Sequence, residues 1–335
     1  MDRYFANMYR AAKRHSGVEA VMWGPFFRGY NNSATIRENL MSRYGAVHFD
    51  IIYKFGIVPS DEVHSLSSEA VVMIRENECW GRRCDRYITE FGCGIVQFSY
   101  SQEMELYSNT AARRVFQHSP QSAEPTIFFR SELSARNRPI AVLVAGSAGA
   151  EVYPLRARLV ELVRSGRIEG GVWYKHPGYM LDAPGKNITF LPEPDEPGVH
   201  PLDAQVAVFA EQYKTARVCL VTTSVYRYAL QKYAEAAIAG CALVGNIPRD
   251  RPEFYREFVT EINEWDSDEH IIKTIKALLR DEPRRLHLAA LGQKRTLETN
   301  TWDRWLDLTK DAYIAYKKEQ YGLYYPFGYY GLANP

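Results

Sequence analysis

Residues 218–250, VCLVTTSVYRYALQKYAEAAIAGCALVGNIPRD, read as strand, helix, strand. The apolar run of 218–223 ends in three hydroxyls, Thr222, Thr223 and Ser224. A helix is expected over 226–239. Gly240 stands where a helix end needs a residue that tolerates positive φ, and 241–245 is a second apolar run. Two buried strands joined by a helix form the parallel crossover unit. Sheets built this way take ligands beyond the carboxyl ends of their strands, which puts the three hydroxyls at an expected site.

The same alternation runs outward in both directions. Towards the N-terminus lie the strands PIAVLVAG (139–146) and 171–175. Between them is a helix opening at Pro154, with Leu155, Leu159, Leu162 and Val163 on one stripe. Towards the C-terminus, helices are expected near 251–258 and 268–280, the latter capped by Asp266 and Glu269. The first half repeats the rhythm with strands at 18–23, 47–53, 70–75, 94–100 and 113–118. Residues 120–138 hold two prolines and little periodicity and read as a linker. The expectation is an α/β chain of two Rossmann-like domains: 1–120, a linker at 121–138, 139–310, and a segment at 311–335 that packs back on the first domain.

Composition narrows the function. The chain has 335 residues, enough for two domains, and its 41 Lys and Arg against 40 Asp and Glu give no field to attract nucleic acid or an anionic membrane. Any phosphate must be gripped locally. Five cysteines, an odd number set mostly in apolar runs, suit a reducing compartment. Neither a signal peptide nor a membrane-length apolar run is visible, so a cytoplasmic location is expected. No metal-ligand spacing stands out among the cysteines, and Asp266-Ser267-Asp268 reads as a helix cap.

Glu235-Ala236, Gly240 and Ala242-Leu243-Val244-Gly245, after the hydroxyl turn, resemble the group-1 glycosyltransferases and the related spore-protein glycosyltransferase-like family. The resemblance covers roughly 139–310. It implies the GT-B fold, with two Rossmann-like domains facing across a cleft, and metal-independent transfer of a sugar from a nucleotide-sugar donor to a hydroxyl acceptor such as a glycan, without a further cofactor. It also implies that Glu235 accepts hydrogen bonds from the ribose hydroxyls, a task that suits an ionised carboxylate. Retaining members carry a second Glu eight positions earlier. Arg227 stands there instead, which leaves the stereochemical course open.

Around that core, Gly146 and Ser147 supply a loop able to approach phosphate, and Arg156, favoured over its neighbour Arg158, can clamp a diphosphate. Arg227 and Lys232 would face the same group from the helix start, while His176, Thr223 and Ser224 complete the donor set. Each of these has a bland reading as well: two surface arginines, a solvated basic face, a structural histidine. Arg28, Tyr30 and Tyr100, in loops of the first half, are the acceptor candidates. Glu76, Glu78, Asp50 and His118 are the candidates for a base. Two other readings share the architecture: a nucleotide-sugar epimerase, and a nucleotide-sugar binder without chemistry.

Overall fold

The computed structural model describes residues 3–21, 29–31, 33–45, 49–54, 70–76, 93–107, 109, 113–134, 137–175 and 201–327. They form two compact units. The first takes in the described residues of 1–120 and those from Trp305 onward; the second takes in those of 121–179 and 201–304.

Each unit is built on its own five-stranded, wholly parallel sheet. In the first the order is β1-β2-β3-β4-β10, with β1 Ile51–Lys54, β2 Val71–Glu76, β3 Ile95–Phe98, β4 Val115–His118 and β10 Gly322–Tyr324. In the second it is β6-β5-β7-β8-β9, with β5 Ile140–Ala145, β6 Gly171–Tyr174, β7 Ala216–Val221, β8 Ala242–Gly245 and β9 Val259–Glu261.

The second sheet is covered on both faces, which is why its strands read as unbroken apolar runs. Leu143, Cys219 and Leu243 pack on one side against Phe209 and Tyr213 of the helix Pro201–Thr215 and Ala237 and Ile238 of the helix Gln231–Ile238. Val142, Val144, Val218, Leu220 and Val244 pack on the other against Leu155 and Leu159 of the helix Pro154–Arg164 and Ile271 and Ile275 of the helix Asp268–Arg280. The alternation follows from the two-residue repeat of a strand. Fully burying each such aliphatic side chain is worth about 1.5–3 kcal/mol.

In the first unit Val72, Ile74, Val96, Phe98 and Phe116 form one face with Met104 and Tyr107. Val71, Met73, Ile95 and Val115 form the other with Ala312 and Ala315 of the long helix Trp302–Lys317.

Several local expectations are revised. Residues 18–21 form no strand, and the rest of the run expected at 18–23 lies outside the described residues, as do Arg28, Glu78 and His176. The described residues of 121–138, read as a linker, belong to the second unit. Phe128, on a short helix Pro125–Phe128, is fully buried in its core, and the Ser122 carbonyl accepts from Gln231 Nε2 at 3.1 Å. The helix expected over 226–239 begins only at Gln231. Ser224 turns the chain first: its Oγ accepts from the Tyr226 N–H and its carbonyl from the Arg227 N–H. Arg227 then sits at φ 62°, which a right-handed helix cannot use. The helix Asp268–Arg280 is capped by Ser267, whose side chain accepts from His270 N, while Asp266 accepts from Asn263 N.

Candidate functional site

At the carboxyl ends of β5 and β7 two loops are tied together. Val225 donates to the Val152 carbonyl at 2.9 Å, and Arg156, from the helix after β5, crosses to β7. Its Nε donates to Thr222 Oγ1 at 3.1 Å, its Nη2 to the Thr222 carbonyl at 3.3 Å and its Nη1 to the Ser147 carbonyl at 3.0 Å. The guanidinium also lies over the Tyr153 ring at 4.1 Å. The side chain is 2% exposed, and these hydrogen-bond partners are all neutral. Burial pulls its pKa below the ordinary value, offset in part by Tyr153, Tyr213, Tyr233 and Cys219. A buried cation held by neutral acceptors is poised to gain from an anion.

Lys232 reaches the same place from the first turn of the helix Gln231–Ile238. A methyl group built on Gly146 would meet Lys232 Nζ at 3.1 Å and Arg156 Nη1 at 3.4 Å. Gly146 itself has φ 107°, and its backbone is fixed by Gly146 N to the Tyr174 carbonyl at 2.9 Å and Trp173 Nε1 to the Gly146 carbonyl at 3.1 Å. Here only glycine keeps both the backbone angle and the space in which the two cations meet. The N-cap of that helix, Leu230, offers no side-chain acceptor to the helix start.

Glu235 lies one turn further along, fully buried. It belongs to the same neighbourhood: the Cys219 thiol, pushed well up by burial, is also raised by Glu235 and lowered by Lys232 and Arg156. A ribose-binding carboxylate would be expected at the edge of a cleft and outside the core; the helix turns Glu235 inward.

Thr223 and Ser224 begin the next step along the edge. Thr223 N donates to Asn246 Oδ1 at 2.8 Å, and Asn246 Nδ2 returns to Thr223 Oγ1 at 2.9 Å and reaches Glu264 Oε1 at 3.0 Å. Tyr233 OH donates to the Asn246 carbonyl at 2.6 Å. Arg227, away from the helix on which it was expected, pairs with Glu264 Oε2 at 3.5 Å. Asn246 and Glu264 were missed in the sequence. Asn246 immediately follows β8 and so carried the strand-end signal, whereas nothing local marked Glu264. Arg158, two residues after Arg156 on the same helix, is locked to Asp268 Oδ1 and the Glu264 carbonyl.

In the first unit Glu76 and His118 end β2 and β4, and both align with Phe98 across β3. His118 is buried, its ring edge-on to Phe327. Beside it, Arg75 Nη1 donates to Ser119 Oγ at 2.7 Å. Asp50 precedes β1 and so stands at the opposite, amino end of the parallel sheet, where Tyr313 OH reaches it at 3.5 Å. It is not brought together with Glu76 and His118. Tyr100, 2% exposed, lies just past the end of β3, and Tyr30 is half-buried. Among the described residues no three of His, Cys, Asp and Glu are grouped as metal ligands, and no helix is long and apolar enough to cross a membrane.

Residues 201–311 match the family model described as glycosyl transferase-like. No curated protein matches the sequence. Among solved structures, a trehalose-6-phosphate synthase superposes with a TM-score of 0.55 at 10% identity, over 83% of this chain and 74% of that one. Sucrose-phosphate synthase from Thermosynechococcus elongatus gives 0.51 at 13% identity, over 84% and 76%. Anabaena HepE in complex with UDP and glucose gives 0.50 at 8% identity, over 79% and 78%. At such identities the likeness establishes the fold. The chain is a GT-B-fold protein whose residues 201–311 match a glycosyl transferase-like family model.

Proposed function

We propose that this chain transfers a glycosyl group from a nucleotide-sugar donor to an acceptor hydroxyl, and that its second unit holds the donor. The observation that carries the reading is the meeting of Arg156 and Lys232 at Gly146, at the carboxyl ends of β5 and β7. In transfer from a nucleotide sugar the departing group is a diphosphate, and charge grows on it as the glycosidic bond breaks. Two cations and an uncapped helix start, already in place, stabilise that charge without reorganising. The match of residues 201–311 to a glycosyl transferase-like family model supports the same reading, as does the shared fold of Anabaena HepE, solved in complex with UDP and glucose.

In this assignment Arg156, Lys232 and the Gly146-Ser147 backbone take the diphosphate, and Glu235 accepts from the ribose hydroxyls. The carboxyl edge of the first sheet, with Glu76 and His118, serves the acceptor. The cations supply the electrostatic work that a divalent metal supplies elsewhere, so transfer is metal-independent, and the protein works in the cytoplasm.

The test is calorimetry of UDP, GDP and dTDP with wild type, Arg156→Gln and Lys232→Ala, followed by a transfer assay with and without EDTA. Loss of one charge-assisted contact costs about 1.5–3 kcal/mol, which weakens the preferred nucleotide roughly ten- to a hundredfold. Undiminished affinity in both folded variants would sink the diphosphate assignment. Activity abolished by EDTA and restored by manganese would sink the metal-free one.

A further inference from the structure

Beyond β8 the carboxyl edge of the second sheet continues into a short turn that the diphosphate assignment leaves unused. Trp265, on this turn, is 71% exposed, the largest exposure among the large hydrophobic side chains described. A lone exposed aromatic is ordinary; this one is braced. Arg158 Nη1 holds the Glu264 carbonyl at 3.1 Å, and Asn263 N donates to Asp266 Oδ2 at 2.7 Å, so the turn is fixed from both sides. The Arg227 guanidinium lies 5.3 Å from the centre of the Trp265 ring and pairs with Glu264. Glu264 is bonded in turn to Asn246, and Asn246 to Thr223. A run of polar contacts thus leads from Thr223, the chain neighbour of the Arg156 partner Thr222, along the strand ends to the exposed indole.

We propose that Trp265, Arg227 and Glu264 form the subsite for the sugar of the donor. A pyranose presents apolar C–H faces and a rim of hydroxyls that both donate and accept. An indole plane suits the face. A guanidinium donor beside a carboxylate acceptor suits the rim. Neither phosphate, which only accepts, nor an apolar partner surface calls for that combination. Position agrees: β9 lies two strands from β7, about 10 Å at the usual interstrand spacing, so a group bound at Trp265 sits further along the edge than a diphosphate at Arg156. The fixed left-handed backbone of Arg227, held by Arg249 N to its carbonyl at 3.0 Å, aims the side chain at this turn and away from the helix start.

This subsite rests on the nucleotide-sugar reading, and the experiment separates the two. Calorimetry is run with UDP-glucose, UDP-N-acetylglucosamine, GDP-mannose and dTDP-rhamnose, each against its own nucleoside diphosphate. Wild type is compared with Trp265→Ala, Trp265→Phe and Glu264→Gln. The expected result is that Trp265→Ala weakens the preferred nucleotide sugar roughly tenfold while leaving the bare diphosphate unchanged. Trp265→Phe should restore most of the loss, and Glu264→Gln should lower selectivity among the sugars. Equal weakening of sugar-bearing and bare nucleotide, or no change in either, overturns the subsite while leaving the donor site standing. Failure of wild type to bind any of the seven compounds overturns both.

Discussion

At the scale of single residues, two glycines separate what the fold needs from what the site needs. A side chain at Gly245 would run into the Val221 carbonyl of the adjoining strand, backbone that has nowhere to move, so Gly245→Ala should give no folded protein. A side chain at Gly146 would meet the end of the Lys232 side chain, which can swing away, at a backbone angle that costs about 1–3 kcal/mol for a non-glycine residue. Gly146→Ala should therefore fold with a lower melting temperature and bind nucleotide at least several-fold more weakly. Wild-type affinity in that variant would show that the cations need not meet there. Glu235 calls for a gentler probe. Because it is fully buried, alanine would open a cavity and confuse folding with binding, whereas Glu235→Gln keeps the volume and removes the charge. Losing the charge-assisted ribose bonds should raise the donor dissociation constant roughly ten- to a hundredfold. An unchanged constant, with an unchanged circular dichroism spectrum, would remove Glu235 from the site.

At the scale of elements, the helix Trp302–Lys317 is bound to the first sheet by more than apolar contact. Gln97, fully buried on β3, accepts from Trp305 Nε1 at 2.8 Å and Tyr53 OH at 3.2 Å. It donates to Gln117 Oε1 at 2.9 Å and Thr309 Oγ1 at 3.2 Å. Gln117 passes the chain of bonds to the Leu308 carbonyl. A buried network of this kind is costly to break in part, so Gln97→Leu should lower stability by about 3 kcal/mol, read as a shift of the denaturant midpoint. A midpoint within error of wild type would mean that the network contributes little. None of this was visible in the sequence, where Gln97 only interrupts an apolar run. What was visible were the strands buried on both faces, β2, β5, β7 and β8, because burial on both sides writes itself as continuous hydrophobicity. The three-residue strands β9 and β10 left no such trace, since each rests on pairing with one neighbour at a sheet edge. The helix after Ser224 was read too long for a related reason. Apolar spacing continues through Val225, Tyr228 and Ala229, while the hydroxyl turn and the left-handed Arg227 that delay the helix have no periodic signature. The candidate site was legible in its parts and not in its assembly. Gly146, Arg156, Lys232 and Glu235 each stood out by residue type and position. The pairing of Arg227 with Glu264, and its stacking on Trp265, joins loops that only the order of strands brings side by side.

At the scale of the whole molecule, the described chain passes from the first unit to the second after Pro120 and is again part of the first from Trp305, so the two units depend unequally on the C-terminal segment. The first unit takes from it β10, which pairs with β4, and the buried residues Leu308, Thr309, Ala312 and Ala315. Without them Val71, Met73, Ile95 and Val115, now fully or nearly fully buried, would lose their cover. The second unit keeps all five of its strands and both of its apolar layers within residues 121–304. Ending the chain after Arg304 should therefore unfold the first unit while sparing the second. Limited proteolysis followed by mass spectrometry should find a resistant fragment that begins near residue 121, because stability is lost locally where burial is lost. Every group assigned to the donor diphosphate and ribose lies in that fragment, so it should still bind the nucleoside diphosphate preferred by the full chain, with affinity reduced by no more than a few-fold. Two outcomes count against the account. A first unit that stays protease-resistant would show that the returning helix and strand are dispensable to it. A folded second unit that no longer binds nucleotide would show that Gly146, Arg156, Lys232 and Glu235 are insufficient, and that the donor needs groups the first unit supplies.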